Sequence, residues 1–340
     1  MTPRLVTIDD ALKKFRQIPR FRFGVYPTVI EEMPRLRDVL SATGVGVPRL
    51  YIKREDYSGP GFGGNKVRKL EYVFAAAQAE GADTVLTVGG VRSNHCRVTA
   101  AFAARLGMEC HLIQNGVAPA LTPASKFLDE LYGAIIHPVA TREDRAPSMQ
   151  RVAEELRAKG RKPFAIPLGA STPLGALGFL HAANEIAQSG TRFDAIFHST
   201  SSGGTQAGMD VGLQIYGQEH VKLIGVSADD PAASISSKVA EIVAGMADLL
   251  EVDRDPLRRD IEVDDQFIGP GYGIATPEGE EALKLLARTE GVVLDPVYTA
   301  KAIAAMLARI RAGEFTQDQR ILFLHTGGQL ALFSADTPHN

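Results

Sequence analysis

Three cations crowd the start of one helix. In "GPGFGGNKVRKLEYVFAAAQAEG", residues 59–81, a glycine-rich loop runs into an amphipathic segment that opens with Lys66, Arg68 and Lys69. A helix N-terminus carries partial positive charge, so cations are disfavoured there. Two events relieve the crowding: an anion binds, or one lysine gives up its proton. A lysine beside other cations has a lowered pKa and is nucleophilic near neutrality. Val67, Leu70, Phe74 and Ala77 supply a buried stripe at helical spacing, with Asn65 placed to cap. That leaves Lys66 and Lys69 at the mouth of the glycine loop. A solvated basic face is the plain alternative for this stretch taken alone.

Three further loops carry residues of chemical interest. "STSSGGTQAG", 199–208, puts Ser202, Gly203, Gly204 and Thr205 at a strand-to-helix turn. Exposed backbone N–H groups beside a helix dipole form a phosphate cup. The loop has neither the lysine of a P-loop nor the GxGxxG dinucleotide fingerprint, so a lysine must come from elsewhere, and Lys69 is the candidate. "GGVRSNHC", 89–96, opens another helix, whose free N–H groups suit a carboxylate; Ser93 caps it, and His95 suits a packed, hydrogen-bonded residue better than a base. Tyr272 in "GPGYGIATPEG" and Tyr298 in "LDPVYTAKA" each follow a turn that can aim a phenol at a cleft, although a packed tyrosine fits each as well.

The elements that must position these loops alternate along the chain. "DTVLTVGG" (83–90), "ECHLIQ" (109–114), "DAIFHST" (194–200), "VKLIGVSA" (221–228) and "RILFLHTGG" (320–328) predict buried strands. "SNHCRVTAAFAARLG" (93–107) and "GGTQAGMDVGLQIYG" (203–217) predict helices, the first running from Ser93 to a stop at Gly107. Strand, glycine turn, helix and strand make the βαβ unit of parallel sheets, with ligands bound at the carboxyl ends of the strands. The 340 residues suffice for one large or two ordinary domains, and no internal repeat appears. A net charge of −3 gives no field that gathers nucleic acid or anionic membrane. Cys96 and Cys110 lack CxxC spacing, so no zinc site or disulfide framework is indicated and no metal is expected. Without an apolar run of signal-peptide or membrane-spanning type, the expectation is a cytoplasmic protein.

The motifs "YIKRED", "FGGNKVRKLE", "GGVRSNH", "GGTQAG", "GYG", "ARTEGVVLDPVYTAK" and "HTGG" follow in an order that resembles the pyridoxal-phosphate enzymes of fold type II, the tryptophan-synthase-β-like family. Within it the likeness is to the group of 1-aminocyclopropane-1-carboxylate (ACC) deaminase and D-cysteine desulfhydrase, and it runs from about Arg22 to Phe333. The resemblance implies an α/β fold of two domains, each a mainly parallel twisted sheet flanked by helices. Residues 1–68 with 180–340 would form the larger domain and 69–179 the smaller, with the site between them. It implies pyridoxal 5'-phosphate as cofactor, a small amino acid as substrate, and a homodimer. Lys66 resembles the lysine that joins the cofactor aldehyde, and Lys69 a phosphate partner beside Ser202, Gly203, Gly204 and Thr205. Asn94 would meet the ring hydroxyl, with Thr326 also on the cofactor. Ser93, Tyr272 and Tyr298 would serve catalysis with Lys66, and Ser93, Asn94, His95, Arg92 and Thr299 would line the substrate side.

Departures from the deaminase bear on the reaction. Thr299 stands where the deaminase carries a glutamate facing the pyridine nitrogen, and Thr326 where it carries leucine; both match the desulfhydrase pattern. A hydroxyl leaves the ring neutral and a weaker electron sink, still adequate for expelling a good β leaving group. The expected activity is therefore α,β-elimination, with D-cysteine as substrate, ranked above ring opening of the cyclopropane. Arg92 stands where glutamine is expected; it either pairs at the surface or places a guanidinium beside an anionic leaving group, which keeps L-cysteate sulfo-lyase open. A non-catalytic small-molecule binder is the alternative from another class.

Overall fold

Runs such as "TVLTVGG" and "AIFHST" show no polar–apolar alternation, the pattern of strands covered on both faces. The computed structural model describes residues 8–42, 44, 46–116, 124–253, 257 and 260–333, and buries both runs throughout. Ten strands form among the described residues: β1 (Ile30–Glu32), β2 (Arg49–Lys53), β3 (Thr84–Gly90), β4 (Glu109–Asn115), β5 (Ile135–Val139), β6 (Pro163–Ile166), β7 (Ala195–Thr200), β8 (Lys222–Ser227), β9 (Glu262–Asp264) and β10 (Arg320–Leu324). They make a six-stranded sheet ordered β1-β2-β10-β7-β8-β9 and a four-stranded sheet ordered β5-β4-β3-β6. Every pairing is parallel except that of β1 with β2. β10 ends at Leu324, short of the expected 328, because Gly327 and Gly328 take positive φ and turn the chain out of the sheet.

Helix ends follow their capping chemistry. Ser93 holds an extended backbone and accepts from the Cys96 N–H, and Gly107 closes that helix in the left-handed conformation. Asn65 does not cap the helix Lys66–Ala79, contrary to expectation. Its own φ/ψ of −56/−18° are helical, so its side chain cannot fold back, and it donates instead to Thr205 Oγ1 at 2.9 Å.

The helix Lys66–Ala79 is anchored by charge. Residues two apart on a helix face opposite ways, while residues three apart share a face. Arg68 therefore turns away from Lys66 and Lys69, and it enters a buried cluster. Its guanidinium donates to both oxygens of Glu55 at 2.7 and 2.8 Å and to both oxygens of Glu185 at 2.9 and 2.7 Å. Lys53, at the end of β2, adds a 2.6 Å bond to Glu185. Two cations thus meet two carboxylates, and the Tyr26 ring lies 4.1 Å from the guanidinium carbon. On the same helix Glu71 accepts from the backbone N–H groups of Phe23 and Gly24 and from Arg20, which ties down the segment before β1.

Breaking a buried pair by removing one partner costs about 3–5 kcal/mol. Arg68→Met should therefore lower unfolding stability by about that much in a urea titration. A loss below about 1 kcal/mol would show that the cluster does not anchor this helix.

Candidate active site

The carboxyl ends of β3, β4 and β7 and the first residues beyond β6, β8 and β10 open on one cavity of about 340 Å³. Ligands of open α/β sheets bind at such strand ends. Lys66 and Lys69 line it, as do Ser93, Asn94, His95, Ser202, Gly203, Thr205, Tyr272, Tyr298 and Thr326. The loops that bring them together touch backbone to backbone. Gly64 N donates to Glu55 O, Asn65 N donates to Thr326 O at 3.0 Å, and a Cβ on Gly327 would lie 2.8 Å from Gly64 Cα. No side chain fits between the loop that carries Lys66 and the loop that carries Thr326.

Lys66 makes no hydrogen bond or ion pair among the described residues. Burial lowers its pKa to about 8. Lys69 is fully buried and lowered further, first by burial and then by the charge of Lys66. Its amine has only neutral partners, Ser171 Oγ at 3.0 Å and Gly169 O at 3.4 Å. Ser171 in turn bonds Ser202 Oγ at 2.6 Å and accepts from Gly204 N. A Cβ on Gly204 would sit 3.0 Å from Lys69 Nζ and 2.8 Å from Ser171 Oγ, so only glycine keeps this pocket at the start of the helix Gly204–Ile215 open.

Asn94 accepts from Arg97 through Oδ1 at 2.6 Å; an arginine can only donate, so Nδ2 is the end left to donate elsewhere. His95 Nε2 lies 2.7 Å from Thr87 Oγ1, whose proton is committed to Ile166 O. Nε2 must therefore carry the ring proton, leaving Nδ1 as a buried lone pair without a partner. Burial, then Lys66 and Lys69, push the His95 pKa well below its ordinary value, so the ring is neutral. Tyr272 and Tyr298 share a 2.5 Å hydroxyl contact, and burial raises both. Both phenols stay protonated near neutrality and can donate, whereas Lys66 can accept a proton once neutral.

Two expectations are corrected. Thr299 does not line the cavity: its hydroxyl donates to Asp295 Oδ1 at 2.7 Å and accepts from Asp295 N, which locks it into the turn before its own helix. Arg92 does not line it either, because it occupies the corner of a turn closed by Ser93 N donating to Gly90 O. The guanidiniums at the cavity belong to Arg142 and Arg145. These, with Asn115, Asp229 and Ser199, went unnoticed in the sequence, as did Ser171 behind the wall. Asn115 left a trace as a polar residue closing an apolar strand, and Ser171 as part of the small-residue turn "GAST"; the arginines of "TREDRAPSMQR" left none.

The family model for pyridoxal-phosphate dependent enzymes matches residues 21–327. The chain belongs to that family. It is 39% identical over 336 residues to the D-cysteine desulfhydrases of Salmonella typhimurium and Salmonella newport, covering 96% of this chain and 99% of theirs. A crystal structure of an ACC deaminase homologue superimposes with a TM-score of 0.87 at 34% identity, over 98% of this chain and 97% of that one. A pyridoxal 5'-phosphate-dependent aspartate racemase, at 18% identity and a TM-score of 0.65, shares the fold. The cofactor of this pyridoxal-phosphate enzyme fits the cavity's chemistry. A buried Lys69 and a half-buried Lys66, neither with a carboxylate partner, a glycine-lined helix start and the Nδ2 end of Asn94 suit a phosphate dianion and a ring oxygen. Thr200 Oγ1 is a further buried polar atom with no partner among the described residues.

Only the neutral amine acylates, and the fraction neutral rises through the pKa. In protein stripped of cofactor, acetylation of Lys66 by acetic anhydride should rise with pH to half its maximum near 8, read by peptide mass spectrometry. A midpoint near the ordinary lysine value, about 10.4, would contradict the burial of this amine.

Proposed function

We propose that the protein is a carbon–sulfur lyase that eliminates the β-substituent of a small amino acid, acting as a D-cysteine desulfhydrase. The observation that carries this is Lys66, an unpartnered amine lowered to about 8 in the same cavity as a protonated tyrosine pair. Identity of 39% to curated D-cysteine desulfhydrases along nearly the full length supports the choice of substrate. Overall, cysteine and water give pyruvate, ammonium and hydrogen sulfide.

Bound pyridoxal phosphate supplies an aldehyde that takes up the substrate amine and a ring that delocalises the charge left when the Cα proton departs. Lys69 and the start of the helix Gly204–Ile215, with Ser202, Gly203, Gly204 and Thr205, would hold the phosphate. Asn94 Nδ2 would donate to the ring hydroxyl. Thr326, whose hydroxyl lies 3.0 Å from Ser199 Oγ, would put a hydroxyl pair beside the ring in place of a carboxylate. Lys66, near its pKa at neutral pH, takes the Cα proton. Ser93, its Oγ accepting from Cys96 N, keeps a hydroxyl proton to donate to the substrate carboxylate. Tyr272 and Tyr298 donate toward the departing sulfur, which leaves with the electron pair of the C–S bond.

The same reading divides the chain into a larger domain of residues 1–68 and 180–340 and a smaller one of 69–179. It also makes the enzyme a cytoplasmic homodimer. Exposed Phe127 and Leu131, one turn apart on the helix Ala124–Leu131, and exposed Ile135 offer a second copy an apolar surface to cover.

Incubation with D-cysteine should release pyruvate and sulfide in equal amounts, and Lys66→Ala should lower the rate by about 10³-fold or more. Wild-type protein that releases neither product, or a Lys66→Ala variant of full activity, would refute the assignment.

A further inference from the structure

Arg145 has no role in the scheme above, yet it lines the same cavity. It is only 9% exposed, and burial pulls its pKa down. It forms no ion pair among the described residues. Its one partner is neutral: Nε donates to Asn115 Oδ1 at 2.6 Å, and Nη2 donates to the same oxygen. That contact uses one edge of the guanidinium and leaves Nη1 without an acceptor among the described residues. A buried guanidinium that lacks a carboxylate is costly to maintain unless a ligand completes it.

The surroundings say where that ligand lies. A Cβ on Gly90, the last residue of β3, would sit 3.6 Å from Arg145 Nη2 and 3.7 Å from Tyr272 Cε1. Arginine and tyrosine therefore flank one point at the end of β3, approached from two different parts of the chain. Lys69 and the helix start at Gly204 occupy a separate part of the wall, held by Ser171 and Gly169. The cavity's carboxylate, Asp229, is matched by Arg142 at 3.6 Å rather than by Arg145.

Resting on the elimination reading, we infer that Arg145 is the specificity-determining residue for the β-substituent, receiving negative charge that the substituent carries on entry or acquires on leaving. Its planar fork of donors suits an oxyanion such as a sulfonate better than a point charge would. In the elimination the C–S bond breaks with both electrons going to sulfur. A sulfonate then departs as sulfite and a thiol as hydrosulfide, each anionic beside Arg145. Charge present on entry is felt in binding; charge that appears only on departure is felt in turnover.

The test uses holoenzyme, with cysteate (either enantiomer) as the charged probe and β-chloroalanine as the probe whose substituent is uncharged when it binds. Cysteate binding is read as competition against β-chloroalanine turnover and from the change it makes in the cofactor's absorption band. Arg145→Gln should weaken cysteate binding by about 30- to 100-fold while changing KM for β-chloroalanine less than about 3-fold, with Arg145→Lys in between. Melting temperatures of both variants check that the fold is kept. Equal losses on both probes, no loss on cysteate, or no cysteate binding by the wild type would each overturn the inference. None of these depends on D-cysteine turnover, so failure of the desulfhydrase assignment would appear separately.

Discussion

Everything at the cleft depends on how the helix Lys66–Ala79 is held. Arg68 sits between Glu55 and Glu185, with Lys53 beside them, and all four side chains are removed from water or nearly so. Such a cluster is weak evidence for stability, because desolvation consumes most of the attraction. Its consequence is geometric. Both carboxylates near the helix start are spent on its far face, so Lys66 and Lys69 meet none on the near face. The cation crowding that looks unfavourable in sequence is divided in two: one charge is neutralised within the protein, and two are left without a carboxylate among the described residues.

That division sets the proton chemistry. Burial without a counter-charge lowers a lysine, whereas burial of a phenol raises it. Reduced hydration in the one cavity thus brings Lys66 to about 8, keeps Tyr272 and Tyr298 protonated and holds His95 neutral. Base and acids become distinct without a dedicated catalytic carboxylate. Asp295, the buried carboxylate behind Thr299, is engaged by the backbone N–H groups of Val297, Tyr298 and Thr299 and by the Thr299 hydroxyl. Those donors fix the turn that presents Tyr298, which is a structural rather than an acid–base use of the group.

Much of this was legible in the residues. Apolar runs ending in glycine marked the parallel strands and therefore the cleft, and i,i+3 spacing put Lys66 and Lys69 on one face. Ser93 and Gly107 marked helix ends by local chemistry alone. What could not be read was set by contacts between distant segments. Asn65 has the composition of a cap, but its backbone is already helical and Thr205, far along the chain, takes its side chain. Thr299 was assigned by position to the cofactor ring, yet a neighbouring aspartate four residues away claims its hydroxyl. Arg92 and Arg145 are indistinguishable as letters; only the packing of β3 against β4 and the helix after β5 decides which guanidinium enters the cavity.

The central claim is that the half-buried, carboxylate-free amine of Lys66 is the attachment point of the cofactor. Borohydride reduction of the holoenzyme, followed by protease digestion and peptide mass mapping, tests it most directly. The account predicts the reduced pyridoxyl-phosphate mass on the peptide holding position 66, with the peptide's Lys69 unmodified. The adduct on any other lysine, or its absence from a preparation that retains the yellow chromophore, would contradict it.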